Sequence, residues 1–297
     1  MNKRSSKQWF RLANNGWAFV LPSIVLFLWL VLWPMISAFL MSLQKGKGTV
    51  VEFAGLDNYI RLFQDPVFIS STINTITYFI IQVPVMLVLA LIISSILNNQ
   101  RLKFRGFFRT AIFVPCVTSL VAYSLLFKSM FATDGIINQV LVSLHIVSEP
   151  IPWLLETFWA KVVIIFAITW RWTGYNMIFY LSSMQNIDRG VYEAAEIDGA
   201  GAWQKFWYIT VPLLKPVILL TAIMSTTGTL QLFDEVVNIT SGGPANSTMS
   251  ISQYIYNLSF KYAPDFGYAA TVSYAIFIMV AVLSLIQMKV SGDRNDN

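Results

Sequence analysis

Six stretches of this chain are apolar, nearly free of charged residues and about 20 residues long or longer. A helix needs about 20 apolar residues to cross the hydrocarbon core of a bilayer. The pattern therefore predicts an all-α, polytopic membrane protein with about six transmembrane helices. The stretches are Trp17–Leu43, Thr72–Leu97, Phe107–Phe127, Trp159–Ser183, Pro216–Val237 and Phe266–Met288.

The composition agrees with this prediction and excludes a soluble enzyme. Hydrophobic residues make up 56% of the chain and charged residues 12%, whereas a soluble domain carries about 25% charged residues. Cys116 and His145 are single residues of their types, so we expect no metal site built by this chain alone. The net charge of +5 is explained by lysine and arginine residues that flank the membrane spans, so we expect no nucleic-acid partner.

Lysine and arginine are retained on the cytoplasmic side of a membrane protein, and this sets the orientation of its spans. With the amino terminus in the cytoplasm, 13 of the 20 Lys and Arg residues fall in inner segments and 5 fall in outer segments. Both termini are therefore predicted to be cytoplasmic.

The predicted spans divide the chain into three parts. Residues 1–70 hold a cytoplasmic tail, the first span and the first outer loop, and this span is too long for a cleaved signal peptide. Residues 71–289 form a core of five spans, in which residues 185–215 are the longest cytoplasmic connection. Residues 290–297 are a cytoplasmic tail.

The cytoplasmic connection is predicted to form a helical hairpin. Val191–Ile197 is rich in strong helix formers, and Gly199 suits the left-handed residue that follows a helix end. A second short helix is marked by aromatic residues at helical spacing, Trp203, Phe206 and Trp207. Pro212 and Pro216 mark the re-entry into the fifth span. Such a hairpin suits either the lipid interface or a groove in a partner protein, and sequence physics does not separate the two.

The residues of this hairpin resemble the EAA loop of binding-protein-dependent ABC importer permeases. The matching positions are Glu193, Ala194, Ala195, Asp198, Gly199, Ala200, Phe206, Ile209, Pro212 and Pro216. The chain also resembles the maltose-type branch of that family, which takes up sugars, at Gly174-Tyr175, Phe233-Asp234, Thr240–Pro244 and Gly267–Ala270. The resemblance covers about Ser71 to Leu285, and it departs from the family pattern at Asp188 and Gly201.

The resemblance implies a type I ABC importer permease fold in the inner membrane of a bacterium. Permeases of this family pair with a second, homologous permease, two cytoplasmic ATPase subunits and an extracytoplasmic solute-binding protein. The first helix of the loop then sits in a cleft of the ATPase, where Glu193 meets a cation. Gly199 sets the turn, and Trp203 and Phe206 anchor the second helix.

The chain carries no G-x-x-x-x-G-K-[ST] phosphate loop. We therefore expect a subunit that is not an enzyme and binds no cofactor, with ATP and Mg²⁺ held by the partner ATPase. An ion-coupled secondary transporter needs buried carboxylates, yet no acidic residue lies in the middle of a predicted span. An intramembrane enzyme needs a Ser/His pair, a metal motif or a carboxylate pair, which the predicted spans lack.

A substrate path is predicted where the fourth and fifth spans carry polar and aromatic residues. Arg171 lies near the middle of the fourth span, where a cation costs about 2.5–3.5 kcal/mol and usually faces the protein interior or a wet cavity. Asp234 and Glu235 are expected to line the outer vestibule.

The resemblance to the maltose-type site suggests which side chains face the substrate. The positions are Arg171, Trp172, Tyr175, Ser225, Gly228, Thr229 and Leu232. Sugars suit aromatic faces with a few hydrogen-bonding groups, although small residues and hydroxyls also serve helix packing. The imported sugar is expected to be an oligosaccharide, with sugar acids and a glycerophosphate left open.

Overall fold

The computed structural model describes residues 17, 19–47 and 50–292. The predicted amino-terminal tail lies outside these residues, apart from its boundary with the first span, and the carboxyl-terminal tail is described only to residue 292. The helices within this range are α1 (Phe19–Ser42), α2 (Asp57–Gln64), α3 (Pro66–Asn98), α4 (Arg105–Val117), α5 (Leu120–Met130), α6 (Ile136–Ser143), α7 (Thr157–Gln185), α8 (Arg189–Ile197), α9 (Ala202–Leu230), the π-helical α10 (Val236–Thr240), α11 (Ile251–Tyr256) and α12 (Phe266–Gly292). A π-helical turn, Asn257–Lys261, continues α11.

The all-α class is confirmed, with one small addition in the described part of the chain. Strands β1 (Gln44–Lys47) and β2 (Val50–Phe53) form an antiparallel hairpin after the first span. By length and composition, five helices can cross a membrane, and up to six can if the bent pair α4 and α5 counts as one span. About six spans were expected from the sequence.

One part of the buried core lies between α3, α7 and α9, and another packs around α12. α3 and α7 pack along each other, and Tyr78, Ile164 and Ile168 are buried at this contact. Tyr180 of α7 and Thr221 of α9 share a buried hydrogen bond of 2.7 Å. By contrast, α1 leaves its apolar residues exposed in this chain and packs mainly on α12.

The third predicted span, Phe107–Phe127, is not one continuous helix. The structure forms α4 and α5 instead, which are bent by 101° relative to each other. Pro115 lies in the last turn of α4, and Thr118 and Ser119 separate the two helices in extended conformations. A proline removes a backbone donor and disfavours helix in the residue before it, which accounts for a weak point in this span.

The fifth predicted span, Pro216–Val237, is also corrected. Helix α9 runs without interruption from Ala202 to Leu230, so the second short helix of the hairpin is the cytoplasmic end of this span. A π-helical turn at Phe206–Thr210 precedes Pro212, and the N–H of Val211 donates to Phe206 O five residues back. This wider turn carries the helix into the proline-containing segment without a break.

At its outer end, α9 stops seven residues earlier than predicted. The carbonyl of Leu232, freed by the end of the helix, accepts a 2.6 Å hydrogen bond from Ser250 Oγ. The chain then forms α10, which packs against α5 and α7. A turn at Ser241–Pro244 follows it, with Gly242 in the left-handed region at φ +83°. Tyr78 of α3 holds this loop by donating to Thr248 O at 2.8 Å.

Candidate functional site

The cytoplasmic hairpin is built by local hydrogen bonds at both ends of α8. Asp188, where the family pattern often has proline, caps the helix by accepting from the N–H of Gly190 at 2.9 Å. After the helix, Gly199 has φ +84°, and its N–H and that of Ala200 donate to Glu196 O and Ala195 O. This is the left-handed glycine termination expected from the sequence.

Two side-chain contacts fix α8 against the start of α9. The hydroxyls of Tyr192 and Thr210 lie 3.0 Å apart, and Lys205 Nζ donates to Glu196 Oε1 at 2.5 Å. The hydrogen bond and the charge of Lys205 hold the pKa of the Glu196 carboxyl below its ordinary value. The hairpin is therefore a single braced unit at the base of the fifth span.

The hairpin presents apolar side chains that this chain does not cover. No residue of α8, all of which is described, is buried within the chain. Ile197 is 87% exposed and Trp203 is 73% exposed. The rings of Trp203 and Trp207 lie 5.6 Å apart, centroid to centroid, and form an aromatic patch at the start of α9. Among the other predicted hairpin residues, Glu193, Ala194, Asp198 and Gly199 are exposed, and Ala195, Ala200 and Phe206 are half-buried.

A cavity of about 960 Å³ lies beside the hairpin at the cytoplasmic end of the molecule. It is bounded by α8, the start of α9 and the connection between α3 and α4. Its wall is rich in cations, which are Arg101, Arg105, Arg109, Arg189 and Lys205, and it also includes Glu193 and Glu196. Glu193 therefore lies exposed at the edge of a basic depression, on a helix that has no buried residue.

Four of the seven predicted substrate-facing residues are accessible in the structure. Trp172 is exposed, and its ring packs on that of Tyr175, with the centroids 5.6 Å apart. Phe179 continues this row along α7, 5.1 Å from Tyr175. On α9, Ser225 is half-buried and Gly228 is exposed. A Cβ added at Gly228 would have no atom of the described residues within 4 Å.

The other three residues point into the protein. Arg171 is 6% exposed and donates from one terminal nitrogen to Cys116 O and Thr118 O. Thr229 is also buried and donates to Gln82 Oε1 of α3 at 2.8 Å, and Leu232 belongs to the core between α3 and α7. Their substrate-facing role stays a prediction, whereas their packing roles are visible.

One expectation about the outer vestibule is wrong. Glu235 is only 3% exposed, because the chain turns after α9 and enters α10, which packs against α5 and α7. Asp234 is half-buried. Sequence reasoning also missed Gln82, whose partner lies 147 residues away, and the contact of Tyr192 with Thr210 across the hairpin. The signal for the break of the third span was present in Pro115.

Comparison with known proteins places this arrangement in a family. Residues 66–291 match the family described as "Binding-protein-dependent transport system inner membrane component". The lactose transport system permease protein LacF of Rhizobium radiobacter is 56% identical over 282 residues, which is 94% of this chain and 95% of that protein. The trehalose/maltose transport system permease protein MalF of Thermococcus litoralis is 31% identical over 298 residues, 99% of each chain.

The fold is also found in a solved structure. A chain of a bacterial ABC transporter involved in the import of the acidic polysaccharide alginate superposes with a TM-score of 0.85 at 23% identity, covering 98% of this chain and 100% of that one. The family match spans most of the chain, and the relatives match nearly their whole length. The protein therefore belongs to the family of inner-membrane components of binding-protein-dependent transport systems.

Proposed function

We propose that this chain is the permease subunit of an ATP-driven importer and that α8 is the helix through which an ATPase moves it. The observation that carries this proposal is that no residue of α8, all of it described, is buried within the chain, although the helix belongs to a hairpin braced by hydrogen bonds. An amphipathic helix held in this way suits a groove in a partner protein. Because α9 continues unbroken to Leu230, a displacement of the hairpin reaches the outer half of the membrane.

The roles of the hairpin residues follow from their exposure. Glu193 offers its carboxylate to a cation of the ATPase, and Trp203 inserts its ring into the groove, where large aromatic residues contribute most to binding. ATP and Mg²⁺ are held by that ATPase, because this chain has no phosphate loop. A second, homologous permease and an extracytoplasmic solute-binding protein complete the transporter.

The substrate class is a sugar, and an oligosaccharide as small as lactose is the first candidate. LacF, at 56% identity, is named for lactose, and MalF for trehalose and maltose. The row of rings at Trp172, Tyr175 and Phe179 suits the apolar faces of sugar rings. Ser225 and Gly228 line the same path from α9, and Arg171, Thr229 and Leu232 support it from inside.

The experiment uses the chain assembled with its partner permease, ATPase and binding protein in nanodiscs. Substitution Gly199→Ala places a side chain at φ +84°, which costs about 1–2 kcal/mol. A cost of this size lowers the population of the docking conformation roughly 5- to 30-fold. We expect ATPase stimulation by the lactose-loaded binding protein to fall accordingly, while the amount of inserted permease stays constant.

The matched control is Gly201→Ala, because Gly201 has an ordinary φ of −70°. This variant keeps near wild-type stimulation if the proposal holds. If ATPase stimulation is the same in both variants, the hairpin does not dock on the ATPase and is instead a hairpin that lies at the lipid interface. Lactose uptake by vesicles that contain this chain alone, without ATP, would refute the importer itself.

A further inference from the structure

The break between α4 and α5 leaves backbone carbonyls without helical partners inside the third span. Such groups must find other donors in a membrane, because water is absent there. One terminal nitrogen of Arg171 donates to Cys116 O at 3.2 Å and to Thr118 O at 3.1 Å. Thr118 Oγ1 donates to Pro115 O at 2.8 Å. The broken end of α4 is thus capped mainly by a side chain of α7.

The same arginine also contacts the helix on the other side of the break. Its guanidinium carbon lies 5.1 Å from the centre of the Tyr123 ring, in the first turn of α5. In return, Cys116 Sγ donates to the carbonyl of Arg171 at 2.8 Å. Arg171 therefore touches both halves of the bent span.

These contacts do not neutralise the positive charge of Arg171. The residue is 6% exposed, and its Nη1 has no hydrogen-bond partner among the described residues. The hydroxyl of Tyr123 also lacks a partner among them. A buried cation that keeps a free donor needs a compensating anion close by.

One buried carboxylate is placed to compensate it. Among the described residues, the acidic side chains counted as buried are Glu235 and Asp265. Asp265 pairs with Arg61 at 2.9 Å, whereas Glu235 forms no direct ion pair in this part of the chain. Glu235 directly precedes α10, which packs on α5 and α7, the two helices that carry Tyr123 and Arg171.

We propose that Arg171 is a positioning residue that holds the break of the third span, and that Glu235 is the counter-charge that keeps Arg171 in place. Arg171 acts through the backbone of α4 and the ring on α5. Glu235 acts through Arg171 and ties α10, at the outer end of the fifth span, to the same point. This role does not depend on the identity of the transported solute.

The native Cys116 is a reporter of this break, since it is the single cysteine of the chain and is half-buried beside Arg171. The probe is N-ethylmaleimide, applied to the assembled transporter without solute, and the readout is the alkylation rate of the Cys116 peptide by mass spectrometry. Arg171→Lys keeps the charge but loses the planar guanidinium, which reaches both carbonyls and the ring of Tyr123. We expect alkylation to become roughly five- to tenfold faster, as for the loss of a helix cap.

Glu235→Gln tests the counter-charge, and Asp234→Asn is its matched control one residue away. We expect faster alkylation in Glu235→Gln and a wild-type rate in Asp234→Asn. In the background of Arg171→Met, Glu235→Gln adds no further acceleration, because the two residues act as one unit.

The outcomes separate this role from a direct contact with solute. An unchanged alkylation rate in Arg171→Lys, together with a changed solute dependence of ATPase activity, assigns Arg171 to the solute and overturns the proposal. Equal rates in Glu235→Gln and Asp234→Asn, or effects of Arg171→Met and Glu235→Gln that simply multiply, overturn the part played by Glu235. If Arg171→Met does not assemble, Arg171→Lys still decides the first point.

Discussion

The close passage of α7 over α4 makes Gly174 the most informative single position to change. A Cβ at Gly174 would lie 2.1 Å from Ile112 O, 3.0 Å from its carbonyl carbon and 3.1 Å from Cys116 Sγ. Ordinary contacts begin at 3.4 Å, so Gly174→Ala must push the two helices apart by about 1 Å. The obstacle is helix backbone and cannot rotate away.

The cost of this substitution has two parts. Overpacking of a core typically costs about 1–3 kcal/mol, and an immovable backbone puts Gly174→Ala at the upper end. A separation of about 1 Å also stretches the bonds of Arg171 to Cys116 O and Thr118 O, now 3.2 and 3.1 Å, beyond hydrogen-bonding distance. We expect Gly174→Ala to lower the free energy of unfolding by about 3 kcal/mol or more in total.

The assay is the thermal stability of the assembled complex in detergent, followed by fluorescence-detected size-exclusion chromatography. Gly228→Ala is the matched control, because its Cβ meets no described atom within 4 Å and alanine favours a helix over glycine by about 1 kcal/mol. Gly174→Ala should lower the melting temperature or prevent assembly, whereas Gly228→Ala should not. Equal melting of the two variants would refute the close approach of α4 and α7.

Three further outcomes are expected. Trp203→Ala should leave the melting of the permease unchanged, because the side chain is 73% exposed, but it should weaken ATPase binding in nanodiscs by about 2 kcal/mol, or roughly 30-fold. Trp172→Ala should raise the lactose concentration for half-maximal uptake without loss of assembly, and an unchanged value would remove this ring from the path. Glu196→Gln should speed hydrogen exchange in α8 at neutral pH. The hydrogen bond and charge of Lys205 lower the pKa of Glu196 in the folded protein. The Glu196–Lys205 contact therefore stabilises α8 above the ordinary carboxyl pKa and is lost as pH falls through the lowered pKa. The difference in exchange rate between variant and wild type should then vanish in acid.

Much of the hairpin could be predicted from the sequence because its geometry is local. A helix-forming stretch followed by Gly199 specifies a left-handed termination within a few residues, and the structure has φ +84° there. The brace between Tyr192 and Thr210 was not predictable in the same way, since it needs the relative placement of two helices.

The substrate path was predicted less completely. The sequence indicates which residues suit a sugar, but side-chain direction depends on how the helices rotate against each other. Thr229 points to Gln82, 147 residues away along the chain, while Trp172 is left exposed. Glu235 was expected to line the outer vestibule, but it is buried after the turn that follows Leu230.

The sequence by itself determined the number and approximate position of the spans, because a bilayer requires about 20 apolar residues in each, whatever the neighbours are. It also determined the cytoplasmic hairpin, whose turn depends on one glycine. Only the tertiary structure showed that the fifth span continues into the hairpin through a π-helical turn. It alone also decided where the third span breaks, because the backbone carbonyls freed at this break find a partner far away in the chain. The capping of Cys116 O by Arg171, 55 residues away, is such a partner, and no local pattern of residues encodes it.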